Sequence, residues 1–508
     1  MKNKLKKQLT NRLITVFMLI LIQLCLIILS IIDLSTSYFI NTCFSVFSYI
    51  IVIYIINRQD NSAYKIAWCV LVLIVPLFGG ILYLLFGGRK VSKALRRANI
   101  NYEGLKEDLE TSKDKLQQLY VSDCDAYKMF NYGFNVDGFG VYEDTKVTFF
   151  ASGEEKFASM LEELTKAQHF IFLEYFIIEE GKMWNSILEI LEAKAKEGIK
   201  VKLIYDDFGC ATNLPSNYDV ILRQKGIECY RFNRLRPALA IQMNNRDHRK
   251  ICVIDNNVGY CGGVNLADEY INETVRFGHW KDNAVMLKGK AVTSLTLMFL
   301  QMYKYLAKKK DFVYKPYLLP CQNVGNDGYV QPYCDSPTDN EDVGLNMHLN
   351  MISVAKKYVY IYTPYLVITD ELAKALTLAA RNGVDVRICV PHIPDKWYVF
   401  SITQNNYKSL IKAGVRIFEY TPGFVHAKSF IVDDMYGVCG TVNTDYRSYY
   451  LHFECGVLMY KCQCIAKMKQ DYLDTLKVCQ EVSLNDCDNV YLVKRIGRAI
   501  LNLFAPLF

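Results

Sequence analysis

Three apolar runs come first along the chain. Residues 13–32, LITVFMLILIQLCLIILSII, carry no charge, and at 1.5 Å per residue they are long enough for a bilayer core about 30 Å thick. Residues 38–56, YFINTCFSVFSYIIVIYII, are also uncharged, and a third run, 66–86, reads IAWCVLVLIVPLFGGILYLLF. The first run exceeds the apolar part of a secretory signal and two more follow it, so the pattern predicts a membrane region over 1–97 and not a cleaved leader. Pro76 and Gly79-Gly80 interrupt the third run. Proline removes a helix hydrogen bond and glycine weakens the helix, which leaves two arms too short to span alone. Basic clusters flank the region, Lys2, Lys4, Lys6, Lys7 and Arg12 before it and Arg89, Lys90, Lys93, Arg96 and Arg97 after it. The preference of such clusters for the cytoplasmic side conflicts with three full crossings. Either the first two runs cross as a hairpin while the third dips in and returns, or the third is a kinked crossing that leaves one cluster outside.

Beyond residue 97 the pattern changes. Residues 98–135 begin charged and helix-favouring and read as a solvated connector. Alternating elements follow. HFIFLEYFII (169–178) is a strand, MWNSILEILEAKAKEG (183–198) has apolar residues at helical spacing and ends on glycine, and IKVKLIYDD (199–207) is a second strand. SNYDVILRQKG is a helix, IECYRFN a strand, and RKICVIDNNVGYCGG a hairpin. The same order recurs in YVYIYTPYLV (358–367), ELAKALTLAARNGVDVRICVP (371–391) and SLIKAGVRIFEY (409–420). Strands alternating with helices predict an α/β fold with mixed, mainly parallel sheets. The repeat predicts two similar lobes, 136–320 and 321–508. The tail, VYLVKRIGRAILNLFAPLF, aligns Leu492, Ile496, Ile500 and Leu503 on one stripe with Lys494, Arg495 and Arg498 beside it. It either lies on a membrane or closes the second lobe.

Composition adds little to that picture. A formal net charge of +7 is too diffuse to imply nucleic acid alone, and it suits an anionic membrane face. The 17 cysteines lack paired metal-type spacing and read as reduced, mostly buried thiols.

The repeat carries the chemistry. Each copy ends on a histidine, with lysine two residues on, aspartate seven on, and asparagine ten beyond the aspartate: His248, Lys250, Asp255 and Asn265, then His426, Lys428, Asp433 and Asn443. One histidine has on the order of a 1-in-200 chance of lysine and aspartate at those offsets, and the chain holds only seven histidines. On a strand, residues two apart share a face, so each copy presents an imidazole beside an ammonium. Two such pockets meeting would surround one phosphodiester. One imidazole would attack phosphorus and the other would protonate the departing oxygen. The lysines and asparagines would stabilise the equatorial oxygens. Asp255 and Asp433, at an odd separation from their histidines, face the other way and are expected to be structural. The chemistry requires no metal or cofactor.

These paired motifs, His248-Arg-Lys250 to Asp255 with Gly263 and Asn265, and His426-Ala-Lys428 to Asp433 with Thr441 and Asn443, resemble the phospholipase D superfamily. FLEYFII, YDDFG, HRKICVID, GGVNLADEY and PLFGGILYLLFGGR are similar to its bacterial cardiolipin synthases. The resemblance implies two phospholipase D-type lobes sharing one active site at the bacterial cell membrane, with the lobes facing the cytoplasm. It implies phosphatidyl transfer between two phosphatidylglycerol molecules through a phosphohistidine, with His248 as nucleophile and His426 as acid–base. Phosphatidylglycerol and anionic membrane lipids are then the partners, not nucleic acid, and no oligomeric state is implied. The resemblance also implies a carboxylate further along that holds each histidine, for which Asp282 in HWKD and Glu454 in LHFE are placed. It leads one to expect asparagine where the chain has His452. A hydrolase of the same chemistry is the alternative, since acceptor choice depends on excluding water.

Overall fold

The strand Phe170–Tyr175 is buried at all six positions, so it must be covered on both faces, and the computed structural model shows what covers it. The structure describes residues 34–87, 106–234, 244–309, 311–322, 324–339 and 341–507. The first apolar run and both basic clusters lie outside them. Seven strands form the first sheet, in the order Thr145–Phe150, Ala284–Gly289, Val258–Gly262, Ile251–Ile254, Phe170–Tyr175, Lys200–Asp206, Glu228–Phe232. The second lobe repeats that order with Tyr329–Asp335, His452–Tyr460, Tyr436–Gly440, Ser429–Val432, Tyr358–Tyr362, Asp385–Pro391 and Arg416–Tyr420, then adds Cys479–Glu481.

The sheets are mixed, but mainly antiparallel, which corrects the expectation of mainly parallel pairing. Along the main strand order of the two sheets, the parallel joints are those of Lys200–Asp206 with its two neighbours and of Asp385–Pro391 with its two. Strand–helix–strand alternation covers just those three strands per lobe. The strand after each histidine instead returns through a tight turn in which two successive residues, Asp255-Asn256 and Asp433-Asp434, have φ between 53° and 59°. A turn of that kind makes a hairpin, and hairpins are antiparallel.

Helices complete the layers. Lys182–Lys196 buries Met183, Trp184, Ile187, Leu188 and Leu191, and Asp370–Arg381, capped by the Thr369 hydroxyl, buries Leu372, Leu376 and Ala379. Val292–Leu306 is buried along most of its length. It belongs to an apolar core that runs without a break from Phe172 and Val253 of the first lobe to Tyr333 and Val457 of the second. Helices Lys106–Ser122 and Cys124–Asp137 are not a solvated connector. Leu116, Leu119, Met129 and Phe130 join that same core, and the Gln331 side chain donates to the carbonyls of Phe130 and Phe139. The charged letters mark only their outer face.

The second apolar run lies in a helix, Leu34–Ile56. The third breaks at Val75 into Ser62–Ile74 and Pro76–Phe86. The second arm folds back tightly: a side chain at Gly79 would meet Leu71 O at 2.5 Å, and one at Gly80 would meet Phe47 and Ile51 at 2.7 and 2.8 Å. Among the described residues no helix is long and apolar enough to cross a membrane. The tail helix, Leu492–Leu503, packs against Trp397–Lys412, where Arg498 donates to Gln404. Its stripe nevertheless stays outside, with Leu492, Ile496 and Ile500 all more than half exposed. The described cysteines are free thiols.

Candidate active site

Each catalytic motif is delivered by a strand that leaves its own lobe. Arg246–Asp247 pairs in parallel with the start of His452–Tyr460 in the second lobe, and the His248 N–H donates to Phe453 O at 2.9 Å. Gly423–Val425 pairs in parallel with His279–Lys281 in the first lobe, and the His426 N–H donates to Lys281 O at 2.7 Å. Each histidine therefore arrives one residue from a carboxylate of the other lobe. His248 Nδ1 lies 2.9 Å from both oxygens of Glu454. His426 Nδ1 lies 2.7 Å from Asp282 Oδ2. The partners are crossed: the carboxylate further along from one histidine holds the other. A carboxylate there requires the proton on Nδ1 and leaves Nε2 with a free lone pair.

The two carboxylates are seated differently. A side chain at Gly263 would fall 2.0 Å from Asp282 Oδ1 and 3.0 Å from His426 O, so only glycine lets Asp282 in. At the matching place Thr441 donates its hydroxyl to Glu454 Oε2 at 2.5 Å.

Lys250 and Lys428 each donate to the carbonyl of the histidine two residues before, which keeps both ammoniums on the imidazole side. Arg249, between His248 and Lys250, faces away and pairs with Glu174 and Asp247. Burial, with the neighbouring lysine and His452 adding to it against the pull of Glu454, lowers His248 to about 3. Burial and the charge of Lys428 lower His426 to about 4. Burial thus works against the charged form of both imidazoles. Burial also lowers Lys250 to about 8 and Lys428 to about 7. Burial works against the charge on Glu454 and Asp282, yet the imidazole beside each holds it below the ordinary carboxylate range. The Lys250 charge is felt at both His426 and Lys428, as one shared pocket requires.

Other expected residues fall elsewhere. Asp255 accepts from the N–H groups of Gln168, His169 and Phe170, and Asp433 from those of Lys356, Lys357 and Tyr358. Though counted with the catalytic set, both pin the start of a neighbouring strand, and they do so from the positive-φ turn that follows Ile251–Ile254 and Ser429–Val432. Asn265 is tied into its own lobe: it accepts from Ile177 N–H at 3.0 Å and donates to the Tyr270 hydroxyl at 2.7 Å. Asn443 is buried with no partner on its carboxamide oxygen. Rings to which the sequence reading gives no role complete the walls. Tyr270 and Trp280 pack against His426, both at 5.3 Å, and Phe176 packs against His248 at 5.1 Å. All three lie in stretches that carry the resemblance, Phe176 in FLEYFII, Tyr270 in GGVNLADEY and Trp280 in HWKD, but no role is read for them there.

Two imidazoles, two ammoniums and two orienting carboxylates, contributed across a pair of like lobes, define a phospholipase D-type phosphotransfer enzyme. Residues 160–298 and 348–475 match the family described as cardiolipin synthase, PLD-like domain, and 46–88 match the phospholipase D-nuclease N-terminal family. The chain belongs to the phospholipase D-like cardiolipin synthase family. It is 35% identical over 470 residues to cardiolipin synthase 2 of Bacillus cereus, covering 90% of this chain and 88% of that one. It is 32% identical over 462 residues to the cardiolipin synthase of Halalkalibacterium halodurans, covering 90% and 91%. An uncharacterized protein of Streptococcus mutans is 42% identical over 462 residues, 90% of this chain and 99% of the relative. The phosphatidylserine synthase of Haemophilus influenzae shares the fold, with a TM-score of 0.56 at 15% identity over 73% of this chain and 94% of that one.

Proposed function

We propose that this protein is a cardiolipin synthase that transfers a phosphatidyl group between two phosphatidylglycerol molecules. The observation that carries the reading is the crossed pairing of His248 with Glu454 and of His426 with Asp282, which gives two oriented imidazoles to one pocket. In the first half-reaction His248 Nε2 attacks phosphorus and the bond from phosphorus to the headgroup oxygen breaks. His426 passes a proton to that oxygen and glycerol leaves. The arriving phosphodiester anion favours a protonated imidazole, so His426 takes up a proton from solvent as the lipid binds. In the second half-reaction a hydroxyl of another phosphatidylglycerol gives its proton to His426 and attacks phosphorus, releasing His248 and forming cardiolipin. Lys250 and Lys428, together with the carboxamide N–H of Asn443, meet the phosphoryl oxygens. No cofactor takes part.

The enzyme works at the bacterial cell membrane with its lobes on the cytoplasmic side. Supporting this are the apolar run 13–32 and the exposed Ile50, Ile53, Ile66, Leu73, Ile74 and Leu84 of the N-terminal helices. The break at Pro76 leaves arms of 13 and 11 residues, about 20 and 17 Å long, which supports a re-entrant third run. The exposed stripe of the tail helix supports its lying on the lipid surface.

Incubation of the membrane-bound protein with phosphatidylglycerol tests the activity. Glycerol and a four-chain lipid are expected. Phosphatidic acid in their place would mean a hydrolase, and no product would reduce the protein to a binder. His248→Ala and His426→Ala are each expected to abolish turnover, and near-wild-type turnover in either would sink the two-histidine mechanism. External protease should spare residues 89–97 in oriented vesicles.

A further inference from the structure

His452 stands in the pocket without an assigned task. It precedes Glu454 by two on the same strand, so both face one way. Its side chain is about one-tenth exposed, yet neither ring nitrogen has a hydrogen-bond partner. Leaving a buried polar group unpaired costs about 1–3 kcal/mol, so the imidazole is placed for something that arrives. Its Nδ1 lies 3.8 Å from Glu454 Oε1, and its ring centre is 5.7 Å from that of His248. One ligand atom from each of His248, His452 and Glu454 lies within 4.8 Å of the other two. A zinc-like ion takes imidazole nitrogens and a carboxylate oxygen at about 2.0–2.2 Å, often with one position left open.

We propose that His248, His452 and Glu454 form an inhibitory site for a borderline divalent cation of the Zn²⁺ class. The ion draws the Glu454 carboxylate away from His248. Where it also takes His248 Nδ1, the proton on that nitrogen is lost to solvent and Nε2 takes one up in its place, so the ring stays neutral. The resulting tautomer has no lone pair to offer phosphorus, so the metal switches the nucleophile off without displacing it. Lys250 and Arg447 repel the ion. The site is therefore weaker than a structural zinc centre, and a chelator reverses it. The binding half of this proposal stands whatever the reaction; the inhibition half rests on the proposed phosphatidyl transfer.

The test uses the full chain and His452→Asn, with Co²⁺ and Zn²⁺ as probes. In the wild type, Co²⁺ should give visible bands of nitrogen and oxygen ligation without strong sulfur charge transfer, which sets this site apart from the cysteines. Zn²⁺ should raise the melting temperature. In His452→Asn both effects should vanish. Half-inhibition of transfer, measured against each variant's own metal-free rate, should need at least tenfold more Zn²⁺, and EDTA should restore the rate. If the cobalt bands and the zinc-induced melting shift persist in His452→Asn, or are absent from wild type, the site is refuted. If binding is lost in the variant but zinc sensitivity is unchanged, the inhibitory role is refuted.

Discussion

At the scale of single residues, the carboxylates decide how well the imidazoles work. Glu454→Gln and Asp282→Asn keep size and hydrogen-bonding capacity but remove the charge that holds the Nδ1 proton and steadies an imidazolium. Each is expected to lower kcat by on the order of 10²- to 10⁴-fold with little loss of lipid binding, read as a fall in kcat at unchanged KM. The lysines set the pH limits. Their folded-state values, about 8 for Lys250 and about 7 for Lys428, lie below the ordinary 10.5, so the unfolded chain holds more protons between those values and 10.5. The cost of burying the ammoniums is full below about pH 7 and is relieved as pH rises through that window. In the proposed transfer these ammoniums hold the phosphate, so kcat/KM should fall as pH climbs past 7 to 8. In Lys428→Arg, which stays charged, that falling limb should move to higher pH. For the histidines the sign works at the acid end. The unfolded chain binds more protons between pH 6.5 and the folded values of about 3 and 4, so stability drains away as pH falls through that range.

At the scale of elements, the hairpin after each histidine is the unit that matters. Asp255 and Asp433 sit at its turn with positive φ and pin three backbone N–H groups of a neighbouring strand. Asp433→Ala should therefore destabilise the fold by about 1–3 kcal/mol, seen as an earlier chemical-denaturation midpoint. The molecules still folded should keep most of their turnover. A loss of turnover with unchanged stability would give the aspartate a direct part in the chemistry. The hairpins also mark where pattern reading stops. Helix and strand periods located most of the repeated elements, because amphipathic periodicity is local. Strand direction depends on what a strand pairs with, and the short crossing strands, Arg246–Asp247 and Gly423–Val425, have no pattern of their own.

At the scale of the whole molecule, the lobes are not separable workers. Each lends a short strand to the other, and their cores are continuous. One chain therefore builds one complete site from its own two motifs. Mixing His248→Ala with His426→Ala protein, purified separately, should not restore transfer, and recovery of a sizeable fraction of activity would mean that motifs are exchanged between chains. The sequence alone determined the duplication, the paired His-Lys sets and the chemistry they suit, since those are matters of residue type and spacing. It also gave Asp255 and Asp433 a structural part, although strand parity, the ground for that expectation, does not hold at a turn of positive φ. Only the tertiary structure decided that Glu454 serves His248 and Asp282 serves His426, that Asn265 is spent on Tyr270, and that His452 stands beside a histidine 204 positions away in sequence. Those pairings arise where two lobes meet, and contact across an interface leaves no period or spacing along the chain to read.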